Sequence, residues 1–413
     1  MATQPMTDHP ILIVSVDAFP KMGGISTMTH HMANAFAARP GGAILLAPKG
    51  SHVPPPFERH YALAEDFESD LTAREGAAAL AEDDRIERLT REILNTERPR
   101  RVLLMHAFHY GTGALAAARA MQIPLSVYVH GTEFTSQVSH PSRLRDPSGL
   151  GARLLRTLSG ADEILTNSHH TASLVSVTGR KASATGVGLP RSVVAAERRN
   201  SPLFEHAQRR ARRRAIGLPD APLFGYIGRL VVNKRIDRMF EIARHVPDAT
   251  CVIGGTGPIE ADLAARAKAL GIQDRVLFLG TLSEADKWRL LRALDFAFLL
   301  SEHDPKTGAY EGFGIAMLEA AAAGAVPVTT GTDGMADFAG APWHGALRIP
   351  ATPWQPARHA NTLSTLLAQE QSMDALVRRG RRAIDEAFTW EQIARQLDQG
   401  WATPQPMELA RAG

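Results

Sequence analysis

What most constrains this chain is a rhythm. Short apolar runs return with room for a helix between them: ILIVSVD, AILLAP, RVLLMHA, LSVYVHG and DEILTNS, then PLFGYIGRL, TCVIGGTG, RVLFLG, DFAFLLS, AVPVTT and ALRIP. Such runs carry little polar alternation, so both faces of each strand must be covered, and the helical patterns between them are the cover. An α/β protein built on parallel sheet follows. With 413 residues the chain exceeds one ordinary core. The rhythm weakens from Gly186 to Pro219, which predicts a domain junction. One doubly wound, Rossmann-like domain is expected over residues 1–200, a second over 201–385, and a tail over 386–413. In the tail, FTWEQIARQLDQGW places Phe388, Ile393, Leu397 and Trp401 on a helical stripe that must pack on something. Two such domains leave a cleft, and open parallel sheets bind ligands at the carboxyl ends of their strands.

Lysine and arginine total 46 against 43 aspartates and glutamates, an excess of +3 that gives no reason to expect a nucleic-acid partner. One local cluster, EHAQRRARRRAIG, crowds Arg209, Arg210, Arg212, Arg213 and Arg214 onto a short helical segment. It reads either as a solvated helix face or as a contact for anionic lipid head groups. Cys251, the single cysteine, lies in the apolar run ATCVIGG and reads as a small core residue, which fits the cytoplasm. The N-terminus has no basic segment ahead of its first apolar run, and no stretch reaches the roughly 20 apolar residues of a membrane span. The expected location is cytoplasmic, with peripheral contact at the inner membrane face as the one way to meet a bilayer.

Chemistry should gather at the strand ends. YEGFGIAMLEAAAAGAVPV sets Glu311 and Glu319 in an otherwise apolar, alanine-rich segment. A glycosidase pair needs carboxyls about 5 to 9.5 Å apart across one bond. Eight positions of continuous helix separate the alpha carbons by roughly 12 Å and turn one about 80° from the other, which disfavours a hydrolase. Gly312 and Gly314 instead put Glu311 in a loop and start a helix near Gly314 or Ile315, whose first N–H groups attract phosphate. GYIGRLVVNKRID ends a strand at Gly228 and follows it with Arg229 and Lys234, two cations able to neutralise a departing diphosphate.

YVHGTEF puts His130 at a strand end, as a hydrogen-bonded rim residue or as part of a site, and the same holds for His106. His30, His31, His169 and His170 read as structural or exposed. FPKMGGISTM places Gly23 and Gly24 before a helix that Ser26 or Thr27 can cap, a place for phosphate or an acceptor. VIGGTGP, which contains Gly257, also follows a strand. It completes no GxGxxG, however, and no clear ribose-binding acid lies about 20 residues on, which argues against a nicotinamide oxidoreductase.

Together these segments resemble the retaining glycosyltransferases of family 4, whose GT-B fold sets two Rossmann-like doubly wound domains face to face across a cleft. The resemblance runs over nearly the whole chain. Its most specific element is E-x7-E, here Glu311 to Glu319; then come the GR pair with its later lysine, the HG strand end, the glycine pair, and VIGGTGP followed by VLFLGTLSE. FTWEQIARQ looks like the family's last helix, which crosses back to the first domain. The resemblance implies transfer of a hexose from a UDP- or GDP-linked sugar to a glycan or lipid-linked acceptor, in polysaccharide or glycolipid biosynthesis.

By the same resemblance, Arg229 and Lys234 would contact the diphosphate beside the N–H groups of Phe313 and Gly314. Glu319 would hold the ribose, Glu311 the sugar hydroxyls, and His130 would sit by the sugar's C6 side near the reacting carbon. Gly280 to Leu282 would lie against the base, Gly23 and Gly24 near phosphate or acceptor, and Gly228, Gly257 and Gly312 would complete the donor site. The departing phosphate oxygen can take the acceptor's proton, and no DxD triplet follows a strand, so neither a metal nor another cofactor is implied. Two departures stand out: Arg235 where the family often has glycine, and an elongated EHDPKTGA, Glu302 to Ala309, expected to shape the donor-sugar or acceptor side of the cleft. Other GT-B enzymes, such as a sugar-nucleotide epimerase or a phosphorylase, and a catalytically silent binding protein are the alternatives. The sugar, the base and the acceptor stay open.

Overall fold

The computed structural model describes residues 8–18, 24–48, 60–63, 77–107, 109–138, 144, 149–200 and 206–402. The expected strands are all present. The first sheet contains β1 (Ile11–Val14), β2 (Ala43–Pro48), β3 (His60–Leu63), β4 (Arg101–Leu104), β5 (Leu125–Val129), β6 (Glu163–Thr166) and β7 (Ser183–Ala184). The second contains β8 (Leu223–Ile227), β9 (Thr250–Gly254), β10 (Val276–Phe278), β11 (Phe296–Leu299), β12 (Val326–Thr329) and β13 (Leu347–Arg348). β3 and β7 were not anticipated: HYAL is not a sustained apolar run and β7 has two residues, because edge strands need less cover.

Strand order is β3-β2-β1-β4-β5-β6-β7 in one sheet and β10-β9-β8-β11-β12-β13 in the other, with parallel pairing throughout. Each sheet therefore reverses its winding once, between β1 and β4 and between β8 and β11. Adjacent loops diverge there and open a crevice at the strands' carboxyl ends. β1 and β8 supply the centre of each core, with Ile11, Leu12, Ile13, Leu223 and Phe224 shielded from solvent. Cys251 lies inside the second core, where burial pushes its thiol up to about 12.

The helices that build and brace the cleft are α1 (Gly24–Ala37), α2 (Arg191–Asn200), α3 (His206–Ala215), α4 (Glu284–Ala293), α5 (Ile315–Ala323), α6 (Glu370–Ala387) and α7 (Trp390–Ala402). α2 precedes the expected boundary at residue 200 yet belongs by packing to the second domain. It lies on α5, and its Glu197 takes Arg292 of α4 at 2.6 Å. The arginine-rich α3 is only partly a solvated face. Arg209 is buried and donates to the carbonyls of Leu294 and Gly324, while Arg213 donates to Ala293 O at 3.0 Å and pairs with Asp295 at 2.5 Å. These carbonyls close α4 and α5, where helix dipoles leave negative partial charge for a guanidinium to meet. Burial lowers the Arg209 pKa to about 9, so it stays charged at neutral pH. Arg210 and Arg214 remain exposed, facing Asp220 at 3.4 and 3.6 Å.

The tail does cross back. Leu189 and Thr389 form an isolated parallel bridge, with Leu189 N donating to Phe388 O at 3.0 Å and Trp390 N to Leu189 O at 3.2 Å. α7 then packs along α1 of the first domain, where Trp401 stacks on Phe36 with ring centres 5.5 Å apart and donates to Glu163 at 2.7 Å. Asp398, buried on the same helix, takes Arg39 at 2.5 Å and pairs with Arg100. No described helix is long and apolar enough to cross a membrane.

Asp398→Ala should destabilise the protein by about 3 kcal/mol, because two guanidinium groups lose one shared counter-charge in a largely dry interface. The thermal-unfolding midpoint should fall by about 5 °C or more; an unchanged midpoint would show that the strap is held by its aromatic contacts alone.

Candidate active site

A cleft of ≈ 640 Å³ opens between the two domains at both winding reversals. The first domain contributes Gly24, Ile25 and Met28 from α1, His130 after β5 and Asn167 after β6. The second contributes Gly228, Arg229 and Lys234 after β8, then the segment Glu311 to Ala316 with Glu319. Lys287 of α4 and Tyr226 of β8 complete the wall that matters for charge.

The helix start is as the glycines require. Gly314 holds φ 94° and ψ 60°, a left-handed conformation, and α5 begins at Ile315 with no side-chain cap on its N–H groups. Ile315 and Ala316 line the cleft, so the positive end of the helix dipole faces it. Glu311 lies in the preceding loop. Its carboxylate pairs with Lys234 at 2.5 Å and accepts from Ser301 Oγ at 3.2 Å. The two residues expected on separate parts of a ligand are thus joined to each other; an ammonium has three donors, so Lys234 can hold Glu311 and still reach a phosphate.

Glu319 has a partner that the sequence reading missed. Lys287 donates to its Oε1 at 2.6 Å and also pairs with Glu284 at 2.9 Å. Burial raises the Glu319 pKa against the pull of Lys287. Burial opposes charge on Lys287 as well, but it faces two carboxylates, and its pKa is raised on balance. Nothing in DKWRLL singles out Lys287, since a lysine in a helix's second turn normally faces water.

His130 bonds Met105 O through Nε2 at 2.8 Å and stacks on Tyr128 with centres 4.9 Å apart. A carbonyl only accepts, so Nε2 carries the proton in this contact. His106 approaches Asp17 at 3.3 Å and lies 5.8 Å from the His130 ring. Gly257, Gly280 and Leu282 are not among the cleft's lining residues. A Cβ on Gly257 would meet Leu230 O at 2.2 Å, and one on Gly255 would meet Gly228 O at 2.0 Å. The glycine loop therefore seats the Gly228–Leu230 turn by backbone-to-backbone contact, while Gly280 O accepts from Gly255 N at 2.7 Å and Leu282 packs on Gly254. Gly23 lies outside the described residues.

Both departures have structural roles. Arg235 holds φ 49°, a left-handed conformation easy for glycine, and is tied down by Asp237 and Glu302. Glu302 opens the elongated segment, which then folds on Asp304 and reaches the first domain, where Gly308 O accepts from Thr135 at 3.3 Å. Tyr310 follows and inserts beside Gly131, bonding Thr171 at 3.1 Å. His169 and His170 are not idle either: they face Asp337 at 3.0 Å and Asp333 at 3.7 Å across the same boundary.

Comparison with known proteins identifies the architecture. Residues 208–383 match the family model for glycosyl transferases group 1, and residues 22–182 match that for glycosyltransferase family 4. These two matches place the chain in the glycosyltransferase family 4 type, with the GT-B fold. Among curated relatives it is 29% identical over 182 residues to 2-deoxystreptamine glucosyltransferase of Streptomyces kanamyceticus, covering 43% of this chain and 44% of that protein. It is 25% identical over 411 residues to glycogen synthase of Mycobacterium tuberculosis, covering 93% and 92%. The chain matches about half the length of several of these relatives. HepE of Anabaena, solved with UDP and glucose, superposes with a TM-score of 0.68 at 16% identity over 95% of this chain and 99% of that one.

In this family member Tyr310 lies against Gly131 where the two domains meet. A Cβ on Gly131 would fall 2.1 Å from the Tyr310 hydroxyl, and the glycine's φ of +129° suits no other residue. Gly131→Ala should open the cleft, enlarging the radius of gyration in solution scattering and lowering turnover about a hundredfold without loss of secondary structure. Unchanged scattering and turnover would show that Tyr310 does not govern closure.

Proposed function

We propose that the protein is a retaining hexosyltransferase that moves a sugar from a UDP- or GDP-linked donor to a glycan or lipid-linked acceptor. The observation that carries the reading is the arrangement around α5: an uncapped helix start, Arg229 and Lys234 beside it, and two carboxylates, Glu311 and Glu319, each held by its own lysine at different places in the cleft. A diphosphate placed at the helix start meets both cations and the N–H groups, leaving Glu311 to the sugar and Glu319 to the ribose. His130 then stands on the first-domain side of the sugar. The UDP and glucose named for HepE and the glucosyltransferase among the relatives support a hexose donor.

On this reading the two carboxylates, each tied to its own lysine, serve binding and not as an acid–base pair across one bond. The reading therefore assigns proton acceptance to the departing phosphate oxygen on the face the acceptor attacks, which retains configuration. Neutralising that phosphate falls to Lys234, Arg229 and the helix start, and the reading asks for no metal or further cofactor. Its place in polysaccharide or glycolipid biosynthesis belongs to the proposal too. So does a peripheral membrane site, for which the exposed Arg210 and Arg214 are the remaining support.

A screen of UDP- and GDP-hexoses for nucleotide release and thermal stabilisation tests the donor. Lys234→Ala should lower kcat/KM by about 100- to 1,000-fold with the fold intact, because it removes a donor to the leaving group and leaves Glu311 without its counter-charge. Arg229→Ala, an exposed position, should cost less. Full activity in the Lys234 variant, or a product of inverted anomeric configuration by NMR, would refute the assignment.

A further inference from the structure

We propose that Lys287 is a positioning residue for the donor nucleotide: it holds Glu319 as an ion-paired carboxylate with one oxygen reserved for the ribose diol, so that the enzyme selects ribonucleotide over 2′-deoxyribonucleotide donors. This assignment rests on the nucleotide-sugar reading of the cleft and adds to it a residue and a selectivity.

Lys287 and Glu319 come from different helices, α4 and α5, and both line the cleft. The α4 start is fixed by Ser283, whose Oγ accepts from Asp286 N at 3.1 Å. Glu284 is fixed in turn by Trp288, whose Nε1 donates to it at 2.8 Å, and the Lys287 ammonium lies 5.4 Å from the Trp288 ring centre. Lys287 is thereby held between Glu284 and Glu319 rather than swinging in solvent. Among the described residues, the side-chain hydrogen bond to Glu319 ends on Oε1 alone. Oε2 is left to accept from a ligand hydroxyl, and a vicinal diol matches a fixed carboxylate better than a single hydroxyl does.

The charges facing Glu319 make Lys287 the decisive one. Burial and Glu284 both favour a protonated Glu319, and Lys287 opposes them. Across the cleft on α1, His31 is influenced by the same Glu284 and Lys287, but burial and neighbouring His30 hold it down to about 4, so it adds no positive charge at neutral pH. Lys287 keeps its own proton, because Glu319 and Glu284 together outweigh its burial. Without it, Glu319 would protonate at higher pH. A neutral carboxyl accepts from the diol less well, so donor affinity should weaken as pH falls and return as pH rises.

The test is isothermal titration of the full chain with UDP, GDP and their 2′-deoxy counterparts from about pH 6 to about pH 9, using wild type, Lys287→Met and Lys287→Arg. Wild type should prefer the ribo form about tenfold or more, with little dependence on pH. Lys287→Met should lose about tenfold in ribo affinity at the acidic end, recover toward the alkaline end, and show a collapsed ribo preference where binding is weak. Lys287→Arg should restore both preference and pH profile. Two results would overturn the assignment: a ribo preference and flat profile retained in Lys287→Met, or an equal loss for ribo and deoxy forms at every pH, the mark of a merely structural lysine. Failure of wild type to bind either ribonucleotide would overturn the nucleotide-sugar reading itself, and this assignment with it.

Discussion

The structure depends on the chain returning to its first domain. The backbone bridge between Leu189 and Thr389 pins the end of the first domain to the start of α7, and Phe388 and Trp390 on either side are buried. From there Asp398, with Arg39 and Arg100, and Trp401, with Phe36 and Glu163, fasten α7 along α1. Two separately wound sheets thereby share one apolar cluster, from Ile11 through Phe388 to Ile393. With that strap on one side, and Tyr310, Gly308, His169 and His170 bridging the boundary on the other, a site made from both sheets has a fixed width.

Given that frame, the cleft is organised by paired opposite charges. Lys234 with Glu311 and Lys287 with Glu319 are each partly shielded, a setting in which a lone charge would be costly. Pairing lets the protein hold two carboxylates and two ammonium groups ready for a ligand. Behind them, Arg209 and Arg381 donate to the carbonyls of Gly324 and Ala322 at the far end of α5, so the helix that aims its positive end at the cleft is braced by cations at its negative end.

Much of the fold was legible because burial on both faces leaves a mark on composition. β1, β4, β5, β8, β9, β11 and β12 all lie in apolar runs, and Gly314, at φ 94°, marks a helix start that only the left-handed region allows. The edge strands β3 and β7 left no such mark. The allegiance of α2 was hidden too, since a helix's sequence shows which face is apolar but not which sheet receives it. In the cleft, Arg229, Lys234, His130 and Glu311 were visible as polar residues in the segments that follow strands, and Glu319 as a lone charge in an apolar helix. Lys287 was not, because a lysine that crosses to another helix looks in sequence like one that faces solvent. Gly257 was ambiguous for a related reason: a glycine after a strand can approach a ligand or another backbone, and the structure shows it close against the Leu230 backbone.

The amino-acid sequence by itself determined two parallel sheets, a helix start flanked by two glutamates, and a basic turn after β8, because these follow from periodicity and from glycine's freedom within a few residues. Only the tertiary structure decided which charge meets which. Lys234 with Glu311, Lys287 with Glu319, His169 with Asp337 and Tyr310 against Gly131 are separated by tens to hundreds of residues. Contacts of that span depend on how the sheets wind and how α7 ties them together, and local sequence carries no record of either.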